Sequence, residues 1–254
     1  MSRVMTGTGA LIGLVMMAGT VAAQSPADWA IHDLERPRPV IVHPGGVVVI
    51  PPPADAVVLF NGTSLDNWVG ADSAPPRWQV VDGALEVAAG TGAITTRAAF
   101  GDVQLHLEWR APAPPRGDGQ NRGNSGVFLM GRYEVQVLDS WENITYADGQ
   151  AAALYGQYPP LVNASLPPGE WQSYDIVFRR PRFKENGDVS RPARVTVFHN
   201  GVLVQADAEL IGPTSHRVRA PYEAHADRLP ITLQDHGDPV QFRNIWLRQL
   251  PEQP

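Results

Sequence analysis

Arg194-Val-Thr-Val-Phe-His199, Asn200-Gly201 and Val202-Leu-Val204 form the stretch that decides the fold class. Two apolar alternations are joined by Asn-Gly, the pair that a type I′ turn demands because both of its central residues take positive φ. Working outward, Trp78-Gln-Val-Val81, Asp82-Gly83 and Ala84-Leu-Glu-Val87 repeat the device. The same two-residue period predicts strands over Val57 to Phe60, Ile94 to Arg97, Val103 to Arg110, Ser125 to Met130, Tyr133 to Leu138, Trp171 to Arg179, Ile231 to Asp235 and Val240 to Leu250. No long window has a helical period. About a dozen short strands therefore predict an all-β protein, a two-sheet antiparallel sandwich of jelly-roll type.

Composition narrows the remaining classes. The 254 residues include 24 Gly and 24 Pro with only 18% charged side chains, which excludes a coiled coil or helical bundle. A net charge of -6, without a basic run interleaved with aromatics, leaves no electrostatic footprint for nucleic acid. Zero cysteines exclude disulfides and a thiol nucleophile. Arg3, the apolar Ala10 to Ala18 and the exit Val21-Ala22-Ala23 read as a secretory signal over residues 1–23, because the apolar run is shorter than the ~20 residues of a spanning helix. The mature protein is expected in a periplasm or outside the cell, with no membrane attachment after cleavage. Residues 24–56 carry seven prolines and read as a leader, a partly ordered spacer whose Val47 to Ile50 run could lie along the domain as an edge strand. The domain proper is expected over 57–254.

Alternation also says which side chains act together. In Val103 to Arg110 the apolar set Val103, Leu105, Leu107 and Trp109 faces the core, which turns His106, Glu108 and Arg110 outward. Glu134 and Gln136 share a face opposite Tyr133, Val135 and Val137. Gln234 and His236 oppose Ile231 and Leu233, and Gln241 and Arg243 oppose Phe242. Several strands thus offer large polar groups on their outer side, and a twisted sheet with such a face forms a groove.

Glu134-x-Gln136-x-x-Asp139 is the sharpest constellation. A bulge near Leu138 would return Asp139 to the face of Glu134. Two carboxyl groups held close would push their pKa values apart, giving an acid and a base in one site. The alternative is a solvated strand end whose acids pair with Arg132 or Arg110. The strand departs from the Glu-x-Asp-x-x-Glu of jelly-roll endoglycanases at two of three positions, which counts against conventional two-carboxylate hydrolysis. Asn124 and Tyr155 are further candidates for contacts to a ligand, the latter in a long loop from Trp141 to Gly169 expected to form a rim or lid. Trp109, Trp171 and Trp246 read as core. The seven histidines lack zinc spacing, whereas an oxygen-ligated divalent ion is compatible with the many acids. No organic cofactor is expected.

Asp55-Ala-Val-Val-Leu-Phe60-Asn-Gly-Thr-Ser-Leu65-Asp-Asn-Trp68, Leu105-His-Leu-Glu108-Trp-Arg110, Asn124-Ser-Gly126-Val-Phe, Tyr133-Glu-Val-Gln-Val-Leu-Asp-Ser140, Pro168-Gly-Glu-Trp171-Gln-Ser-Tyr174-Asp175 and Leu233-Gln-Asp-His-Gly237 with Val240-Gln-Phe-Arg-Asn-Ile-Trp246 occur in order. Together, over Asp55 to Leu250, they resemble the 3-keto-disaccharide hydrolase domain family. The resemblance implies a concanavalin A-like jelly roll and a carbohydrate substrate, a 3-keto-glycoside. A ketone at C3 acidifies the C2 proton, so a base can start an elimination that expels the C1 oxygen, and water addition completes net hydrolysis. The base would be Glu134 or Asp139, Arg110 or Arg243 would hold the enolate oxygen, and His236 would exchange a proton with the leaving group. Glu108, Asn124, Gln136, Tyr155 and Gln234 would contact substrate. The competing expectations are a non-catalytic sugar-binding module and a conventional glycoside hydrolase.

Overall fold

The computed structural model describes residues 25–47 and 49–252, so the reading of 1–23 as a signal lies outside the described residues. Both hairpins form as expected. Asp82 and Gly83 have φ of 50° and 76°, and Asn200 and Gly201 have 52° and 77°, the positive pair that aligns the turn with the twist of its strands.

The strands assemble into two main antiparallel sheets. The larger, eight-stranded sheet runs Val202–Glu209, Arg194–His199, Gln172–Arg179, Val103–Arg110, Gln241–Gln249, Ala84–Glu86 and Gln79–Val81, with Val57–Phe60 also paired to Gln241–Gln249. The smaller runs Trp68–Val69, Ile94–Thr96, Thr232–Leu233, Ser125–Leu129 and Tyr133–Val137. Among the described residues the helical pieces are three-residue 3-10 turns. Longer helix has no foothold among these residues because β-branched alternations are cut every few residues by Gly, Pro or Asn. No helix of the described residues is long and apolar enough to cross a membrane.

The core lies between these sheets. Leu105, Leu107, Trp109, Tyr174, Ile176 and Phe178 of the larger sheet meet Val127, Tyr133, Val135, Val137 and Leu233 of the smaller one, all buried. Tyr174 pins the layers together: its hydroxyl donates to Gln136 O at 2.8 Å, and its ring meets Trp109 edge-on at 5.4 Å. With Tyr133, Val135 and Val137 committed to the interior, alternation sends Glu134 and Gln136 to the outer face of the five-stranded sheet.

The described residues before 57, 25–47 and 49–56, are laid on the domain instead of standing clear of it. Val40–Ile41 pairs in parallel with Val162–Asn163. Arg36, 1% exposed, donates to Gln157 O at 3.3 Å and faces the buried Asp148 at 3.8 Å. Arg219 donates back to Pro26 O and Trp29 O at 2.6 and 3.1 Å. Ile50 O accepts from Asn244 Nδ2 and Trp246 Nε1 on the larger sheet. Val47, Val49 and Ile50 join no strand, and Val48 lies outside the described residues. Prolines 51–53 cannot donate to a ladder, so this stretch bonds through its carbonyls.

Candidate active site

Glu134 is the second residue of the Tyr133–Val137 strand, an edge strand of the smaller sheet paired in even register from Ser125↔Val137 to Leu129↔Tyr133. Its carboxyl leans back over Gly126, where any side chain would run into Glu134 Oε1. Oriented to donate, the Gln136 amide reaches Glu134 Oε1 and Ser125 O, each at 2.9 Å. Glu134 is 5% exposed, and burial with no cation beside it pushes its carboxyl up to about 8. A group of this kind exchanges protons near neutrality, which is what general acid–base work requires.

A cavity of about 340 Å3 opens beside it, at the lower end of the range for small-ligand sites. Its walls are Asn124, Phe128, Glu134, Gln136, Tyr155, Thr214, Ser215, His216, Gln234 and His236. Six residues singled out in the sequence therefore converge on one hollow: Glu134, His236, Asn124, Gln136, Tyr155 and Gln234. Asn124 is set by Asp238, which accepts from its backbone N at 3.0 Å, and its own amide donates to Gln120 O at 2.7 Å. Gln234 follows the Thr232–Leu233 strand, held by Gln234 N to Gly126 O at 3.0 Å and by Ser125 Oγ donating to Gln234 O at 2.7 Å. Gln234 Oε1 is buried and has no protein partner. A buried amide oxygen costs on the order of 1–3 kcal/mol when unpaired, so it is poised to accept from a ligand.

Tyr155 sits on the loop expected to form a rim, and this loop is packed into the wall. Tyr155 Oη bonds Tyr146 Oη at 3.0 Å and His216 Nδ1 at 3.1 Å. Burial raises both phenols above their ordinary value, so they act as neutral hydrogen-bonding groups. Thr214, Ser215 and His216 were not visible as site residues, because they come from an irregular segment without periodicity. Thr214 Oγ1 accepts from Glu134 N at 2.9 Å and thereby fixes that segment to the catalytic-candidate strand.

Five sequence expectations are corrected, for Asp139, Arg243, Arg110, Glu108 and Trp171. The strand ends at Val137 with its register unbroken, and Asp139 does not join Glu134 among the residues that line the cavity. It is 1% exposed and held by Arg122 Nε at 2.7 Å and Trp141 N at 3.1 Å. Burial raises its carboxyl although the Arg122 guanidinium opposes the shift. Arg243, Arg110 and Glu108 belong to a different place altogether, the outer face of the eight-stranded sheet. There Arg243 Nε donates to Glu108 Oε2 at 2.6 Å, Arg110 Nε donates to Gln241 Oε1 at 2.5 Å, and both guanidiniums lie over Trp171, at 4.0 and 4.7 Å from its ring centre. Trp171 is only half-buried, unlike the core residues Trp109 and Trp246. Alternation distinguishes inside from outside along each strand but not which sheet's outer face a strand presents, and that is the origin of the error.

The lining residues thus include one carboxyl, two imidazoles, three amides and hydroxyls, with no lysine or arginine. Among the described residues no group of three or more His, Asp or Glu side chains is placed to hold a metal ion.

Comparison with known proteins agrees with this architecture. A 3-keto-disaccharide hydrolase of Bacteroides thetaiotaomicron is 23% identical over 244 residues, spanning 78% of this chain and 80% of that protein. A solved Parabacteroides distasonis structure, provisionally assigned as a glycosyl hydrolase, superposes with a TM-score of 0.77 at 42% identity, covering 85% of this chain and 93% of the other. A second structure from that organism, with the same provisional assignment, shares the fold at a TM-score of 0.55 and 20% identity, covering 78% and 94%. Residues 55–248 match the sequence model of the 3-keto-alpha-glucoside-1,2-lyase-like domain, and the chain belongs to that family.

Proposed function

We propose that this protein is an exported carbohydrate-active enzyme that cleaves the glycosidic bond of 3-keto-disaccharides or related 3-keto-glycosides, and that Glu134 is its base. The observation that carries this reading is the solitary carboxyl: Glu134 is the one acid lining the cavity, buried and without a cation. Displacement at a sugar C1 uses two carboxyl groups, ~5 to 5.5 Å apart for retention or ~6.5 to 9.5 Å for inversion. Asp139, the natural second member, is spoken for by Arg122. Elimination from a 3-keto sugar uses one base. Glu134 takes the C2 proton, the electron pair of that bond forms a C1–C2 double bond conjugated with the C3 carbonyl, and the C1–O bond breaks. The leaving oxygen takes a proton from an acid, for which the exposed His236 and His216 stand at the cavity rim. Water adding across the double bond then completes net hydrolysis.

During proton removal negative charge builds on the C3 oxygen. With Arg110 and Arg243 on the far sheet, neutral donors take their place: the Asn124 and Gln234 amides and the Tyr155 hydroxyl. The absence of a guanidinium also leaves Glu134 its elevated proton affinity, which a neighbouring cation would abolish.

The test is incubation with 3-keto-trehalose and 3-keto-lactose beside trehalose and lactose. Product from the oxidised sugars alone supports the reading. Product from all four supports a conventional glycosidase, and saturable binding without product supports a sugar-binding module.

A further inference from the structure

His32 lies in the leader, outside the matched span of 55–248. Its ring nevertheless stacks on Tyr146 with centroids 4.0 Å apart and planes 15° from parallel, and lies 5.0 Å from Tyr155 and 5.2 Å from His216. Two rings that line the cavity, Tyr155 and His216, and Tyr146 behind them thus converge on a residue that precedes the domain. We propose that His32 is a positioning residue for the candidate site, the fourth member of an aromatic cluster in which it holds Tyr146 so that Tyr155 and His216 keep their place beside Glu134. The inference rests on the reading above, in which Tyr155 and His216 serve the substrate.

Several independent features fix His32 in that role. Its backbone takes φ of 60°, a left-handed conformation that a non-glycine residue adopts at a cost of about 1 kcal/mol or more, and such strain persists where the surroundings over-determine it. Its amide donates to Asp148 Oδ2 at 3.1 Å, and Asp148 is fully buried and faced by Arg36. On the other side Gly156, whose φ of 71° favours glycine, faces Ile31 and His32 across van der Waals distance. Arg219 ties the chain on both flanks, through Pro26 O and Trp29 O on the leader and Gly156 O on the loop. Burial, reinforced by His216, Arg217 and Arg219, lowers the imidazole to about 4, so at neutral pH it is an uncharged ring suited to stacking. The consequence is that the leader backs the wall of the site, packing His32 against Tyr146, Tyr155 and His216.

The experiment uses the full chain with His32→Ala and His32→Phe. Kinetics on 3-keto-trehalose should show KM raised about tenfold for His32→Ala with a smaller change in kcat and a melting temperature within a few degrees, since the loss is one of alignment. His32→Phe keeps the ring face against Tyr146 and should restore KM to within about twofold. Independently of turnover, the 15N signal of His216 Nδ1, which reports its bond to Tyr155, should move in His32→Ala and return in His32→Phe. Wild-type KM together with an unmoved His216 signal in His32→Ala overturns the inference. A wild-type chain that turns over no 3-keto sugar defeats the reading of the reaction instead, and the His216 signal alone then decides the positioning claim.

Discussion

Gly126 and Glu134 are interlocked: the carboxyl of Glu134 occupies the space above the Gly126 Cα that a side chain would need, and even a methyl group there would strike Oε1. The glycine is chosen for this approach, because its backbone lies in an ordinary strand between Ser125 and Val127 and any residue could adopt it. Gly126→Ala should therefore leave the sheet paired while displacing the base. The expected result is a fall of about 100-fold in kcat/KM with near-UV circular dichroism unchanged, measured on 3-keto-trehalose.

Glu134 gives the stability of the protein a pH signature. Its carboxyl rises from an ordinary 4.5 to about 8 on folding. The folded chain thus keeps a proton that the unfolded chain releases, and the associated stability is fully present below about 4.5 and is lost as pH climbs through about 8. Glu134→Gln should abolish turnover and yet be more stable than the parent at pH 8, by on the order of 4 kcal/mol at 1.36 kcal/mol per unit, with the two converging near pH 4. Urea denaturation at the two pH values reads the difference. An equal gap at both would show that Glu134 titrates normally.

The same shift predicts the rate profile. A base must be deprotonated, so kcat/KM should climb tenfold per pH unit and level off near 8. A plateau already reached at pH 5 would mean that the titrating base is a different group.

Asp139 is assigned to structure. Asp139→Asn removes the charge that Arg122 grips at 2.7 Å inside the domain, so the melting temperature should fall by several degrees, equivalent to about 1–3 kcal/mol. Turnover by the folded protein should remain within about twofold of normal. A collapse of kcat at unchanged stability would return Asp139 to the mechanism.

Much of this molecule is legible along the chain because its information is local. The turns at Asp82-Gly83 and Asn200-Gly201, the strands beside them and the shared face of Glu134 and Gln136 all follow from positive φ and the two-residue period. Gln234 and His236 reached the same cavity because their strand continues the sheet of Ser125–Leu129. What could not be read was non-local. Nothing in the alternation of Val103–Arg110 or Gln241–Gln249 says that Glu108 and Arg243 look out from the opposite layer, and the short strands Trp68–Val69 and Val162–Asn163 carry too few residues for a pattern. Nor does a proline-rich leader announce that Arg36 will be buried against Gln157, since that contact joins segments 121 residues apart.

The most direct test of Glu134 as the C2 base is turnover of 3-keto-trehalose in deuterium oxide, with the sugar products read by mass and NMR against an enzyme-free control. Elimination followed by hydration predicts deuterium at C2 of the 3-keto-glucose released by the wild-type chain, and neither release nor enzyme-dependent exchange with Glu134→Gln. Glucosidic cleavage that leaves the C2 hydrogen in place, or near-normal exchange in the Glu134→Gln protein, would contradict it.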